Sequence, residues 1–128
     1  MINVKKIYIM KILKGGRMNL GEQYKKAWFD YKDNIDRDTL PDLLDDKFEW
    51  RSLTKAFNDK IIESKEDTLE TLKGVDTTTT PEVHYSSDEM LVMSVVHEWD
   101  GGKMVILAFV TFKDGKAIEM ISAKGDPA

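Results

Sequence analysis

The sequence predicts one α+β domain, with helices ahead of a long antiparallel sheet, and three observations carry that expectation. The chain has 128 residues, one domain's worth, since domains run to roughly 100–200 residues. Its first half sets Leu20, Tyr24, Ala27, Trp28, Tyr31 and Ile35 at helical spacing, the pattern of a helix that buries one face. Its second half, from Glu82 to Lys124, is β-type sequence broken by tight turn signals, the pattern of a meander.

The elements follow in order. Asn19 precedes the first helix and can cap it. Asp38-Thr39-Leu40-Pro41 opens a second, short helix. Pro41 suits its first turn, where no backbone donor is needed. Leu40, Leu43 and Leu44 supply its apolar face, and Asp45-Asp46 is expected to close it. Lys47 to Leu53 alternates apolar with charged residues through Phe48 and Trp50, as a half-buried strand does. A short extended piece from Asp59 to Ile62 is expected to pair back on it. Ser64-Lys65-Glu66-Asp67 starts a third helix with a capping-box-like signal, Leu69 and Leu72 give its apolar side, and Gly74 stops it.

Thr77 to Pro81 then reads as an extended, β-branched approach to the sheet. Glu82 to Tyr85, Met90 to Trp99, Lys103 to Lys113 and Lys116 to Lys124 read as the meander. Three turns join these strands: Ser86-Ser87-Asp88-Glu89, Asp100-Gly101-Gly102, and the two-residue Asp114-Gly115 hairpin. A three-residue turn at Asp100 would set His97 opposite Val105, Val95 opposite Leu107 and Met93 opposite Phe109. The second hairpin would set Met120 beside Phe109 and Glu119 beside Val110. One face then carries Leu91, Met93, Val95, His97, Trp99, Val105, Leu107, Phe109, Ile118 and Met120. The other carries Met90, Val92, Ser94, Val96, Glu98, Met104, Ile106, Ala108, Val110, Phe112, Glu119 and Ile121.

Both faces are apolar, whereas an antiparallel sheet with one wet face alternates apolar with polar. A few short helices cover one side only. The second side is expected to be covered by another copy of the chain, giving a homodimer through the sheet.

Composition narrows the function. The 19 basic and 23 acidic residues give a net charge of −4, against a general nucleic-acid binder, whose phosphate contacts require a basic surface. The absence of cysteine excludes a disulfide framework, thiolate zinc sites and cysteine nucleophiles. His84 and His97 are the only histidines, so neither a metal nor another cofactor is expected.

The charge is unevenly spread. Residues 1–18 hold Lys5, Lys6, Lys11, Lys14 and Arg17 and no acid, leaving 14 bases against 23 acids, or −9, in the remainder. Lys11 interrupts the leader's apolar run and Gly15-Gly16 follows closely. This pattern suits neither a secretion signal nor a membrane span, so a cytoplasmic protein with no membrane partner is expected. Lys14-Gly15-Gly16-Arg17 has a codon spelling, AAA-GGA-GGT-AGA, that resembles a bacterial ribosome-binding site ahead of a start codon. Residues 1–18 are therefore read as a leader, with translation expected to begin at Met18, and residues 19–128 as the domain.

Three stretches taken in order resemble a known family: Asp45-Asp46-Lys47-Phe48-Glu49-Trp50, Ser64-Lys65-Glu66-Asp67-Thr68-Leu69, and Phe112-Lys113-Asp114-Gly115-Lys116-Ala117-Ile118. Across about residues 19–123 the chain resembles the nuclear transport factor two-like superfamily, in its SnoaL-like, polyketide-cyclase-type branch. The resemblance implies a cone-shaped α+β fold, with about three N-terminal helices packed on a strongly curved antiparallel sheet. It also implies a pocket at one end and frequent dimers through the sheet. It does not fix the reaction, because the superfamily holds isomerases, dehydratases, cyclases, ligand binders and non-catalytic modules.

Candidate chemistry is correspondingly local. His97 stands on an apolar face and suits a proton carrier, since imidazole titrates near neutrality. It suits equally a half-buried histidine satisfied by a neighbouring acceptor. Trp28, Tyr31, Trp50, Met93 and Trp99 suit the walls of a ligand pocket, and equally an ordinary core. Glu98 and Glu119 would stand about six residues apart along the sheet, near 20 Å, too far for a shared-proton pair. Asp45, Asp46 and Glu49 lack the spacing of a calcium loop. The expected activity is cofactor-free acid–base chemistry on a small apolar molecule. The alternative is a non-catalytic binding or dimerisation module.

Overall fold

The computed structural model describes residues 18–54 and 61–125. The leader up to Arg17 and the start of the extended piece at Asp59 and Lys60 lie outside these residues. Among the described residues, helix α1 (Leu20–Lys32) and the short α2 (Thr39–Leu43) lead into strand β1 (Leu44–Ser52). Strand β2 (Ile62–Ser64) and helix α3 (Lys65–Lys73) follow, then β3 (Thr78–Ser86), β4 (Met90–Trp99), β5 (Gly102–Lys113) and β6 (Lys116–Gly125). The expected α+β architecture holds. No described helix is long and apolar enough to cross a membrane.

The local signals act as their chemistry requires. Asn19 accepts from the Glu22 amide at 2.9 Å and caps α1. Ser64 accepts from the Asp67 amide at 3.2 Å and caps α3. Two expected ends differ. Helix α1 stops at Lys32, with Asn34 in the left-handed region at φ 59°, and leaves Ile35 72% exposed rather than on the buried face. Asp45-Asp46 do not close α2, because β1 already begins at Leu44, whose side chain is buried.

The six strands form one curled, unclosed sheet in the order β2-β1-β6-β5-β4-β3. The sheet is mixed rather than antiparallel throughout, because β1 pairs with β6 in parallel, Trp50 beside Met120 and Arg51 beside Ile121. Strand β2 hydrogen-bonds β1 antiparallel, with Trp50 beside Glu63.

The register of the meander differs from expectation by single residues, each with a local cause. Gly102 belongs to β5 and pairs with Trp99, so the turn is the two residues Asp100-Gly101, with Gly101 at φ 96°. His97 therefore stands opposite Met104, Val95 opposite Ile106 and Met93 opposite Ala108. A bulge at Ile118 then shifts β6 by one residue, setting Met120 opposite Val110 and Glu119 opposite Thr111. Because strand side chains alternate, a one-residue slip exchanges the two faces of a strand. For Met120 the two slips cancel, and it shares a face with Met93 after all.

The inner face, carrying Leu91, Met93, Val95, Ala108, Val110 and Met120, packs on α1 and α3. An aromatic column runs through this core. Tyr24 lies 5.5 Å from Trp28 and edge-on to Phe112 at 5.7 Å, and Trp28 meets Trp50 edge-on at 5.5 Å. The outer face carries Val92, Val96, Val105, Leu107, Phe109 and Ile121, with Leu107 and Phe109 each exposed by about two fifths. The middle of the outer face is thus largely apolar in the true register as well, with Ser94 opposite Leu107 and the polar pair Glu98 and Lys103 towards its end.

The start of α1 is fastened to the turn between β3 and β4. The Gly21 amide donates to the Ser87 carbonyl at 3.0 Å and the Leu20 amide to the Asp88 carboxylate at 2.9 Å. Asn19 donates to the Ser86 carbonyl at 3.1 Å and accepts from the Ser86 hydroxyl at 2.7 Å. Only glycine allows this approach, since a Cβ on residue 21 would stand 2.2 Å from Ser86 Oγ.

Candidate functional site

With α1 held at its start, its last two turns cross the inner face and leave a small cavity of about 30 Å³. Trp28 and Lys32 come from α1, Trp50 from β1, Met93 and His97 from β4, and Met120 from β6. The space is small and the walls are mostly apolar.

Two polar side chains interrupt those walls. His97 is 7% exposed, and its Nδ1 lies 2.8 Å from the Thr77 hydroxyl. Burial, with a smaller contribution from the nearby Lys32 charge, lowers its pKa from 6.5 to about 4. The imidazole is therefore neutral at pH 7. The Lys32 side chain is 5% exposed, and its ammonium pairs with the Asp33 carboxylate at 2.6 Å. A longer hydrogen bond of 3.4 Å reaches the Thr77 carbonyl. Thr77, in the connection between α3 and β3, thus meets both groups, one through its hydroxyl and one through its backbone.

Of the residues singled out by sequence, the fold brings Trp28, Trp50, Met93 and His97 to this cavity. Tyr31 is buried beside them without lining it, and its ring lies 5.4 Å from the Arg37 guanidinium. Trp99 sits at the end of β4, 47% exposed, outside the cavity. Glu119 lies 3.2 Å from Arg51 Nε, in an ion pair with β1. Among the described residues no group of three or more acidic or histidine side chains is arranged to hold a metal.

Sequence reasoning missed Lys32 and Thr77. A signal for the lysine was present: position 32 continues the row Tyr24–Trp28 at i+4 intervals, so it falls on the buried side of α1. A wider, open groove of about 700 Å³ runs between α1 and β3 past Phe29, Pro81 and Val83. It brings no buried titratable group together, so the smaller cavity is the better candidate.

No protein-family model and no curated protein matches the sequence. Solved structures do match. A candidate isomerase from Rhodopseudomonas palustris superposes with a TM-score of 0.67 at 14% identity, over 85% of this chain and 91% of that one. A candidate polyketide cyclase from Streptomyces antibioticus gives 0.62 at 14%, over 84% and 92%. An NTF-2 like protein of unknown function from Burkholderia xenovorans LB400 gives 0.63 at 13%, over 85% of each chain. The chain has the nuclear transport factor two-like fold. The expected resemblance is thereby met at the level of architecture. In this nuclear transport factor two-like domain, as described, the space between helix and sheet is nearly filled by Trp28, Trp50, Met93 and Met120.

Proposed function

We propose that this domain is a SnoaL-like small-molecule protein that catalyses a cofactor-free proton transfer, as in isomerisation, dehydration or cyclisation, on a small, largely apolar substrate. The observation that carries this reading is the buried His97 on the wall of a mostly apolar cavity, bonded to Thr77 and kept neutral. A neutral imidazole on a cavity wall is of the type that takes up a proton. Trp28 and Trp50 give the substrate flat apolar walls. Solved neighbours bearing the names isomerase and polyketide cyclase support the reading.

A substrate larger than this small space requires the walls to yield. Met93 and Met120 are the side chains suited to do so, because the unbranched thioether repacks at low cost. The small resting volume equally favours a second reading, a non-catalytic binding or dimerisation module of the same fold. In both readings we infer a homodimer in which the apolar outer face around Leu107 and Phe109 is covered by a second copy.

The test is proton exchange at carbon. The protein in deuterated buffer, supplied with a panel of small cyclic enones and β-diketones, is followed by NMR for deuterium uptake beside the carbonyl. The expected result is uptake above buffer that falls by about 10²-fold or more in His97→Ala, the usual contribution of a positioned general base. Uptake unchanged in His97→Ala, or never above buffer, overturns the catalytic reading in favour of the module.

A further inference from the structure

Lys32 is costly where it stands. Taking an ammonium out of water costs several kcal/mol unless its partners repay it, and a methionine of similar length would fill the same slot without charge. Its partners are modest: the Asp33 carboxylate at 2.6 Å and, at the outer limit of a hydrogen bond, the Thr77 carbonyl at 3.4 Å. Asp33 is itself half solvated, its side chain 47% exposed, so it is an exchangeable counter-ion rather than a locked one. The lysine lines the same cavity as His97.

We propose that Lys32 determines the specificity of the His97 cavity by binding a carboxylate carried on an apolar substrate body. The inference rests on the small-molecule reading above and deepens it. On binding, the substrate carboxylate replaces that of Asp33 at the ammonium, and the apolar body lies against Trp28 and Trp50. A single negative charge matches a single ammonium. A phosphate dianion fits less well, because Lys32 sits in the last turn of α1, where the helix end carries partial negative charge and opposes a second one.

The test uses matched probes: phenylalkanoates of increasing length from phenylacetate upward, each beside its methyl ester. Binding is read from the 13C-methyl resonances of Met93 and Met120 and from tryptophan fluorescence. The wild-type protein is expected to bind acids at least tenfold more tightly than esters. Lys32→Met, and Lys32→Gln as a second variant, are expected to lose that preference while keeping ester affinity. Asp33→Asn is expected to tighten acids and leave esters unchanged, which a merely structural lysine would not produce. Equal acid and ester affinity in the wild type, or an acid preference that survives Lys32→Met in a folded variant, overturns the carboxylate inference alone. If neither acids nor esters perturb the two methionines, the small-molecule reading falls and the inference with it.

Discussion

The Trp50 indole donates to the Ser122 hydroxyl across 2.7 Å, and both side chains are buried. This bond joins β1 to β6, the one parallel pair of the sheet, with one of its partners on the cavity wall. Ser122→Ala leaves the indole N–H buried without an acceptor. A loss of about 1–3 kcal/mol in urea denaturation is expected, the usual cost of such a group. A change within error would mean that Trp50 finds another acceptor.

The close approach at Gly21 makes a second prediction with an unusual sign. Within an exposed helix, glycine to alanine stabilises by about 1 kcal/mol. Gly21→Ala instead drives a methyl group to within 2.2 Å of Ser86 Oγ. The melting temperature is expected to fall, and Ser86→Gly in the same chain to recover part of the loss. A rise in melting temperature for the single variant would show the clamp to be loose.

His97 makes stability depend on pH in a defined window. Its folded pKa of about 4 lies below the ordinary 6.5, because burial disfavours the charged ring. Between those values the unfolded chain binds more protons than the folded one, so stability falls as pH falls from 6.5 towards 4. Well above 6.5 the ring is neutral in both states and contributes no slope. The difference in urea midpoint between wild type and His97→Gln is therefore expected to be flat well above pH 6.5 and to shrink as pH falls through 6.5 towards 4. A difference that does not vary with pH would place the imidazole in water.

The outer face predicts an assembly. Phe109→Glu sets a charge among Leu107, Val92 and Ile121 on the face away from the cavity. Light scattering is expected to give twice the chain mass for the wild type and the single-chain mass for the variant, with an unchanged circular dichroism spectrum. A wild-type monomer at micromolar concentration refutes the dimer.

What could be read from the sequence was what is decided locally. Asn19 and Ser64 cap helices through bonds that span three residues, and Asp114-Gly115 turns a hairpin within two. The failures involve choices that local sequence leaves degenerate. Asp100-Gly101-Gly102 can turn with two residues or three, and only the rest of the sheet selects two. The bulge at Ile118 has no marker residue, and the β1–β6 pairing joins positions about 70 residues apart. The candidate site shares this divide. Trp28, Trp50, Met93 and His97 are legible as residues that favour a buried face, whereas Lys32 is of a type that normally lies in water. Its burial follows from the side of α1 it occupies, and Thr77 is recruited by chain geometry alone.

The parallel pairing of the first described strand with the last also governs how the domain is made. During synthesis α1, α2, β1, β2 and α3 emerge while the partner of β1 is still unmade, and Phe48 and Trp50 have no sheet to close over them. Strand β6 fills the gap between β1 and β5, and so completes both the hydrogen-bonding and the core in one step. Such non-local closure slows folding and prolongs the exposure of strand edges. A nascent chain stalled before Lys116 therefore carries two further open edges, on β1 and β5, beside an incompletely covered aromatic column.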